Sequence, residues 1–233
     1  MINYFIPFRC AAAALAAAAC FFISGCSEKT EGIRTGDLLF VGYPEGFLNH
    51  VPGESGGMAD AIAASTGKGG TEFVHTAILE ATDSGIFVID ATIKYGVDRH
   101  PLDTLIAQFT LSDGSLPELV VMRLKDPSKA EEHVANAKKY IGEEYDSSFM
   151  AGNGKHYCTE LVYDSYTGTD GEPLLQCVPM NFKGPDGEFP PYWVWLFDLI
   201  GEPIPQDEPG TNPQEMIGDP ALRPVKFSLP DRR

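Results

Sequence analysis

Along this chain, short apolar runs and apolar–polar alternations are separated by Gly, Pro, Asp and Ser, and their periods predict strands mixed with helices. After a polar linker at 27–35, Gly36-Asp37 opens the apolar run Leu38-Leu39-Phe40-Val41, which suits a buried strand. Residues 55–66 carry Met58, Ile62 and several alanines at helical spacing, with Ser55 placed to cap a helix and Gly67 to stop it. Two β-rich runs, 72–81 and Gly85–Thr92, flank Thr82-Asp83-Ser84 and read as a hairpin.

Further on, 96–100 suits a third short strand, Pro101 begins a helix reaching Phe109, and Glu118–Leu124 is a strand rich in Val and Leu. A longer helix is expected over 127–141, with Ala130, Val134, Ala137 and Ile141 on one stripe. Residues 157–166 place Cys158, Leu161, Val162 and Ser165 at i, i+3, i+4 and i+7 of another helix. The Pro- and Gly-rich tail from Pro179 holds one expected helix at 193–200. With no internal repeat and no regular βαβ rhythm, the pattern predicts an α+β fold whose sheet is mostly antiparallel.

The N-terminus reads differently. Residues 1–25 have Arg9 as their only charged side chain, an apolar Ala-rich run over 11–23, and Ser24-Gly25 at their end, the pattern of a secretory signal peptide. The run is short for a membrane span. Ile23-Ser24-Gly25-Cys26 resembles the bacterial lipobox, which makes Cys26 the expected lipid anchor; the alternative is an ordinary signal peptide with Cys26 left free. The expected organisation is therefore a signal at 1–25, a lipidated N-terminus and linker at 26–35, and one domain over 36–233.

Charge narrows the partners. Seventeen Lys and Arg stand against 33 Asp and Glu in 233 residues, a formal net charge of −16 that would repel phosphate backbones. Nucleic acid is thereby excluded as an expected partner. Attraction to an anionic bilayer is excluded too, leaving the lipid on Cys26 as the expected membrane contact. Ser27 stands where Asp often retains lipoproteins at an inner membrane, so an exported protein at the periplasm or outer membrane is expected for a Gram-negative source.

Of five cysteines, Cys10 and Cys20 leave with the signal and Cys26 takes the lipid, so Cys158 and Cys177 remain. Exported thiols can join in a disulfide. Against that, Cys177 sits in Leu174-Leu175-Gln176-Cys177-Val178 as a buried structural thiol would, whereas Cys158 begins a helix whose unpaired N–H groups and dipole favour a thiolate. In the hairpin, His75 shares a face with Ala77 and Leu79, and Asp90 with Val88 and Ile86. A turn centred near Asp83 brings Asp90 opposite or diagonal to His75, where its carboxylate can fix the imidazole. Nucleophile, base and orienting acid are then Cys158, His75 and Asp90, a set suited to acyl transfer through an acyl-enzyme.

These residues resemble the circularly permuted relatives of the NlpC/P60 papain-like enzymes, in the YiiX/YaeF group. The resemblance rests on Gly36-Asp37-Leu38-Leu39-Phe40, a helix ending Ala61-Ile62-Ala63-Ala64-Ser65-Thr66, Phe73-Val74-His75-Thr76-Ala77-Ile78, Val88-Ile89-Asp90-Ala91 and Tyr157-Cys158-Thr159-Glu160-Leu161-Val162. The His strand precedes the Cys helix here, the order of the permuted group. The resemblance implies a permuted papain-like fold, Cys158 as nucleophile, His75 as base and Asp90 as third member. It also matches Tyr145 to a tyrosine beside the thiol, a candidate with Tyr157 for the oxyanion or substrate; simple packing of Tyr145 at a helix end is the other reading. His156 is expected at the pocket rim at most, since a helix start separates it from Cys158 and no orienting partner is evident.

Rival chemistries fit less well. Gly53-Glu54-Ser55-Gly56-Gly57 matches G-x-S-x-G but follows no core strand. The five histidines are scattered without H-E-x-x-H or paired C-x-x-C, so neither metal nor cofactor is expected. The expected activity is cleavage of an amide or acyl bond in a cell-wall peptide or a lipid or N-acyl substrate. The alternative is a non-catalytic lipid- or peptide-binding lipoprotein of the same fold.

Overall fold

The computed structural model describes residues 31–228, so the expected signal segment and Cys26 lie outside the described residues. Its centre is a six-stranded sheet in the order β4-β3-β2-β1-β5-β8, with every neighbouring pair antiparallel. The strands are β1 (Leu38–Pro44), β2 (Thr71–Thr82), β3 (Gly85–Thr92), β4 (Gly96–Pro101), β5 (Glu118–Leu124) and β8 (Leu222–Val225). Two-residue strands β6 (Val178–Pro179) and β7 (Pro209–Gly210) pair separately.

The unbroken apolar run of β1 follows from its position, because a strand covered on both faces has no polar side to show. Leu38, Leu39, Phe40 and Val41 are all fully buried. Leu38 and Phe40 face α3 (Ala130–Ala137) and α4 (Cys158–Ser165) through Val134, Leu161, Val162 and Tyr166. Leu39 and Val41 face α2 (Leu102–Gln108) through Leu102, Leu105 and Ile106. A third cluster joins α1 (Met58–Thr66) to α5 (Pro191–Ile200), where Phe149, Phe182, Trp193 and Phe197 pack largely edge to face. Among the described residues no helix is long and apolar enough to cross a membrane.

Asp37 explains why a charge can precede β1. It is wholly buried, and its carboxylate accepts from Arg123 Nε at 2.6 Å and Nη2 at 2.8 Å and from the Arg34 N–H at 2.8 Å. Arg123 also donates to Glu31 and to the Gly32 carbonyl. A buried ion pair tolerates its desolvation only when its remaining donors and acceptors are filled in this way. Beside it, Gly36 has φ of +79°, and a Cβ there would lie 2.6 Å from the Ala130 Cβ, so the close approach of α3 requires glycine.

Several boundaries differ from the sequence pattern. Ser55 does not cap α1; the helix starts at Met58 behind Gly57, and the Asp60 carboxylate takes the Gly56 N–H at 2.8 Å. The helix expected from Pro127 begins at Ala130 and tightens into a 3₁₀ turn over Lys138–Tyr140, which leaves Ile141 exposed. The tail adds α6 (Pro213–Met216) and β8, which no periodicity announced: β8 spans four residues and carries Pro224, admissible because β8 is an edge strand.

Two substitutions test this framework. Asp37→Ala strands the buried Arg123 charge and is expected to cost about 3 kcal/mol in urea denaturation, the lower end for a broken buried pair because Glu31 remains. Gly96 has φ of +65°, and a Cβ would meet the Glu143 carbonyl oxygen at 2.1 Å. Gly96→Ala should therefore lower stability by about 2 kcal/mol in the same assay.

Candidate active site

The site forms where the β2–β3 hairpin opens. The ladder between them runs from Thr82 opposite Gly85 to Ile78 opposite Ile89, while β3 continues against β4, with Asp90 opposite Asp98 and Thr92 opposite Gly96. On its other side β2 is irregular: Val41 of β1 faces His75 but Gly42 faces Phe73, so Val74 is an extra residue beside His75. Such a bulge turns the neighbouring side chain away from the regular pleat.

His75 Nε2 lies 2.7 Å from Asp90 Oδ2, diagonal in the hairpin register. The other oxygen, Asp90 Oδ1, lies 3.0 Å from His100 Nε2 on β4. The His75 ring lines the same cleft as Cys158 and stacks on Phe109, with centroids 4.7 Å apart. Burial alone would lower the His75 pKa, but its interactions with Asp90 and Cys158 prevail and push it up to about 10. Asp90 is 1 % exposed; burial opposes its ionised form, yet His100 and His75 together hold its carboxyl below the usual range.

Cys158 is the first residue of α4, following Tyr157 in extended conformation, so its backbone N–H belongs to the unpaired first turn. It is nearly buried and lines an open cleft of about 450 Å³ with His75, Tyr145, Met58, Ile62 and Val74. Ile93, Lys94 and Tyr95, in the β3–β4 turn, form its rim. Glu160, in the first turn of α4, has its carboxyl pushed up to about 7, chiefly by burial.

Tyr145 lines the cleft, its hydroxyl 3.7 Å from Met58 Sδ. Burial, then the charge of Cys158, holds the phenol well above its ordinary pKa, so it stays a hydrogen-bond donor. Tyr157 turns elsewhere: its hydroxyl accepts the Thr211 N–H at 3.1 Å, and the ring lines a separate cavity of about 40 Å³ on which Cys158 also borders.

Two expectations need correction. His156 is not at the rim: it is buried and has two partners, Glu143 Oε2 at 2.8 Å and Asp164 Oδ2 at 3.3 Å, with Tyr140 packed on its ring. Cys177 is an exposed free thiol rather than a buried one, because its segment runs along the surface with Leu175 alone turned inward; Cys158 is the buried free thiol. His100 was missed by the sequence reading. Its signal was alternation on β4 together with the pairing of His100 with Val88, a residue on the Asp90 face.

Comparison with known proteins agrees with this fold. The curated protein YiiX of Escherichia coli strain K12, uncharacterized by its description, is 27 % identical over 165 residues, covering 69 % of this chain and 76 % of YiiX. A crystal structure described as metalloprotein yiiX from Escherichia coli O157:H7 superposes with a TM-score of 0.60 at 25 % identity, covering 84 % of this chain and 98 % of that one. The family model for the permuted papain-like amidase enzymes, YaeF/YiiX, C92 family, matches residues 32–226. With its antiparallel sheet and its His strand ahead of its Cys helix, the chain belongs to the permuted papain-like amidase family.

Proposed function

We propose that this protein is an exported, lipid-anchored cysteine hydrolase that cleaves an amide or acyl bond. The observation that carries the reading is the buried relay from Cys158 through His75 to Asp90, opening on an apolar cleft. In this reading the Cys158 sulfur attacks the substrate carbonyl, and the oxyanion forms beside the Cys158 N–H and the Tyr145 hydroxyl. His75 protonates the departing amine or alcohol, then takes a proton from the water that hydrolyses the acyl-enzyme. Asp90 keeps the ring oriented through both steps.

The cleft bears on the substrate. Its lining is mainly apolar, with Met58, Ile62, Val74 and Phe109, and includes no Asp or Glu although the chain carries 33 of them. Such walls favour a substrate with a hydrophobic acyl portion over a strongly polar peptide. The lipobox-like sequence ending at Cys26 supports membrane attachment, which would keep the cleft near such substrates. The metal named for the Escherichia coli structure does not carry over to these residues: among the described residues no group of three or more His, Cys, Asp or Glu side chains could hold an ion, and both Asp90 oxygens are taken by imidazoles.

Two measurements test the reading. At pH 6, iodoacetamide should alkylate Cys158 faster than the exposed Cys177, and His75→Ala should slow Cys158 by about tenfold or more while leaving Cys177 unchanged. Slow alkylation indifferent to His75 would favour a binding protein of the same fold. Once a turned-over acyl substrate is in hand, Asp90→Asn should lower kcat by about a hundredfold or more, because the ring loses its fixed orientation.

A further inference from the structure

We propose that His100 is a positioning residue for this site, holding Asp90 between two imidazoles and sharing its charge, so that His75 stays able to release its proton to a leaving group. The inference rests on the Cys158–His75 reading and extends it by one residue.

The geometry is specific. Each Asp90 oxygen has its own imidazole, His75 Nε2 at 2.7 Å and His100 Nε2 at 3.0 Å. His100 Nδ1 lies 3.2 Å from the Pro101 carbonyl oxygen, so both of its ring nitrogens face acceptors. A neutral imidazole has one N–H and would leave a lone pair against an oxygen; an imidazolium donates from both sides. The charged side chains that act on it are Asp90 from β3 and Asp98 on β4 itself; His75 of β2 lies on the other oxygen of Asp90, and Asp103 of α2 is exposed. The attraction of Asp90 outweighs the burial that opposes the charged ring, and Asp98 adds to it.

A count of charge shows the consequence. A thiolate, an imidazolium and a carboxylate leave the site with one uncompensated negative charge, which a second imidazolium cancels. The same cation draws part of the field of Asp90 away from His75. A His75 that faced an unshared carboxylate would hold its proton more tightly, and a general acid works best when its pKa lies near the working pH. Fixing Asp90 from the far side also sets the angle at which it meets His75.

The test is a pH titration of the ring nitrogens by NMR on the full chain labelled with ¹⁵N-histidine. In wild type, His100 should be protonated on both nitrogens at pH 7. His100→Gln keeps an N–H for Asp90 but removes the charge, and should move the His75 midpoint upward by about 0.5–1 pH unit. His100→Lys, which restores a cation, should bring the midpoint back toward wild type. A purely structural role would leave the midpoint in place, and a His75 unmoved in folded His100→Gln overturns the inference. If the variants do not fold, the wild-type signal decides: a His100 neutral at pH 7 overturns it, and a doubly protonated one supports it. Cys158 alkylation indifferent to His75 would sink the functional reading itself, whereas a His75 that governs alkylation but ignores His100 would sink this inference alone.

Discussion

A carboxylate sealed from water must be matched by positive partners, and the requirement to hold Asp90 organises this end of the molecule. Its desolvation would cost several kcal/mol if left unanswered. Here it is answered by His75 and His100 on the two strands that flank β3. That arrangement needs β3 between β2 and β4, a ladder that ends at Ile78–Ile89, and a bulge at Val74 that turns His75. Phe109, just past α2, then closes the stacked face of the ring, and α4 brings Cys158 to its edge.

The rest of the electrostatics fits the same end. The chain is strongly acidic, yet the cleft wall holds no carboxylate, and the acidic residue nearest Cys158 in the helix, Glu160, is pushed up to about 7 by its burial. Among the buried carboxylates at this end, Asp90 is set against two imidazoles, so its charge is answered within the site. The Asp37–Arg123 pair is the contrasting case: equally buried, it is filled with donors and acceptors at the start of β1 and stabilises the sheet far along the chain from the chemistry.

Much of this was legible in the sequence because it depends on short-range rules. Parity along a hairpin with a short turn put His75 and Asp90 within reach, and the period of 157–166 put Cys158 at a helix start. His100 escaped because its placement requires the register of a third strand, which the sequence of 96–100 does not set by itself. Ser55 looked like a cap until the helix began three residues later, where Asp60 supplies the acceptor. Cys177 has apolar neighbours in sequence, but its segment lies flat on the surface, and only tertiary packing decides which of those residues turns inward. His156 was misread for the same reason, since its partner Glu143 arrives from a separate loop.

The proposed chemistry depends on a His75 that carries its proton between Asp90 and Cys158. Its most direct test is the ionisation midpoint of the His75 ring, followed by ¹⁵N NMR in the wild-type chain and in Cys158→Ser. The ring should stay protonated through neutrality and titrate only toward pH 10, with a lower midpoint once the sulfur is gone. A midpoint near the ordinary histidine value of 6.5, the same in both proteins, would contradict it.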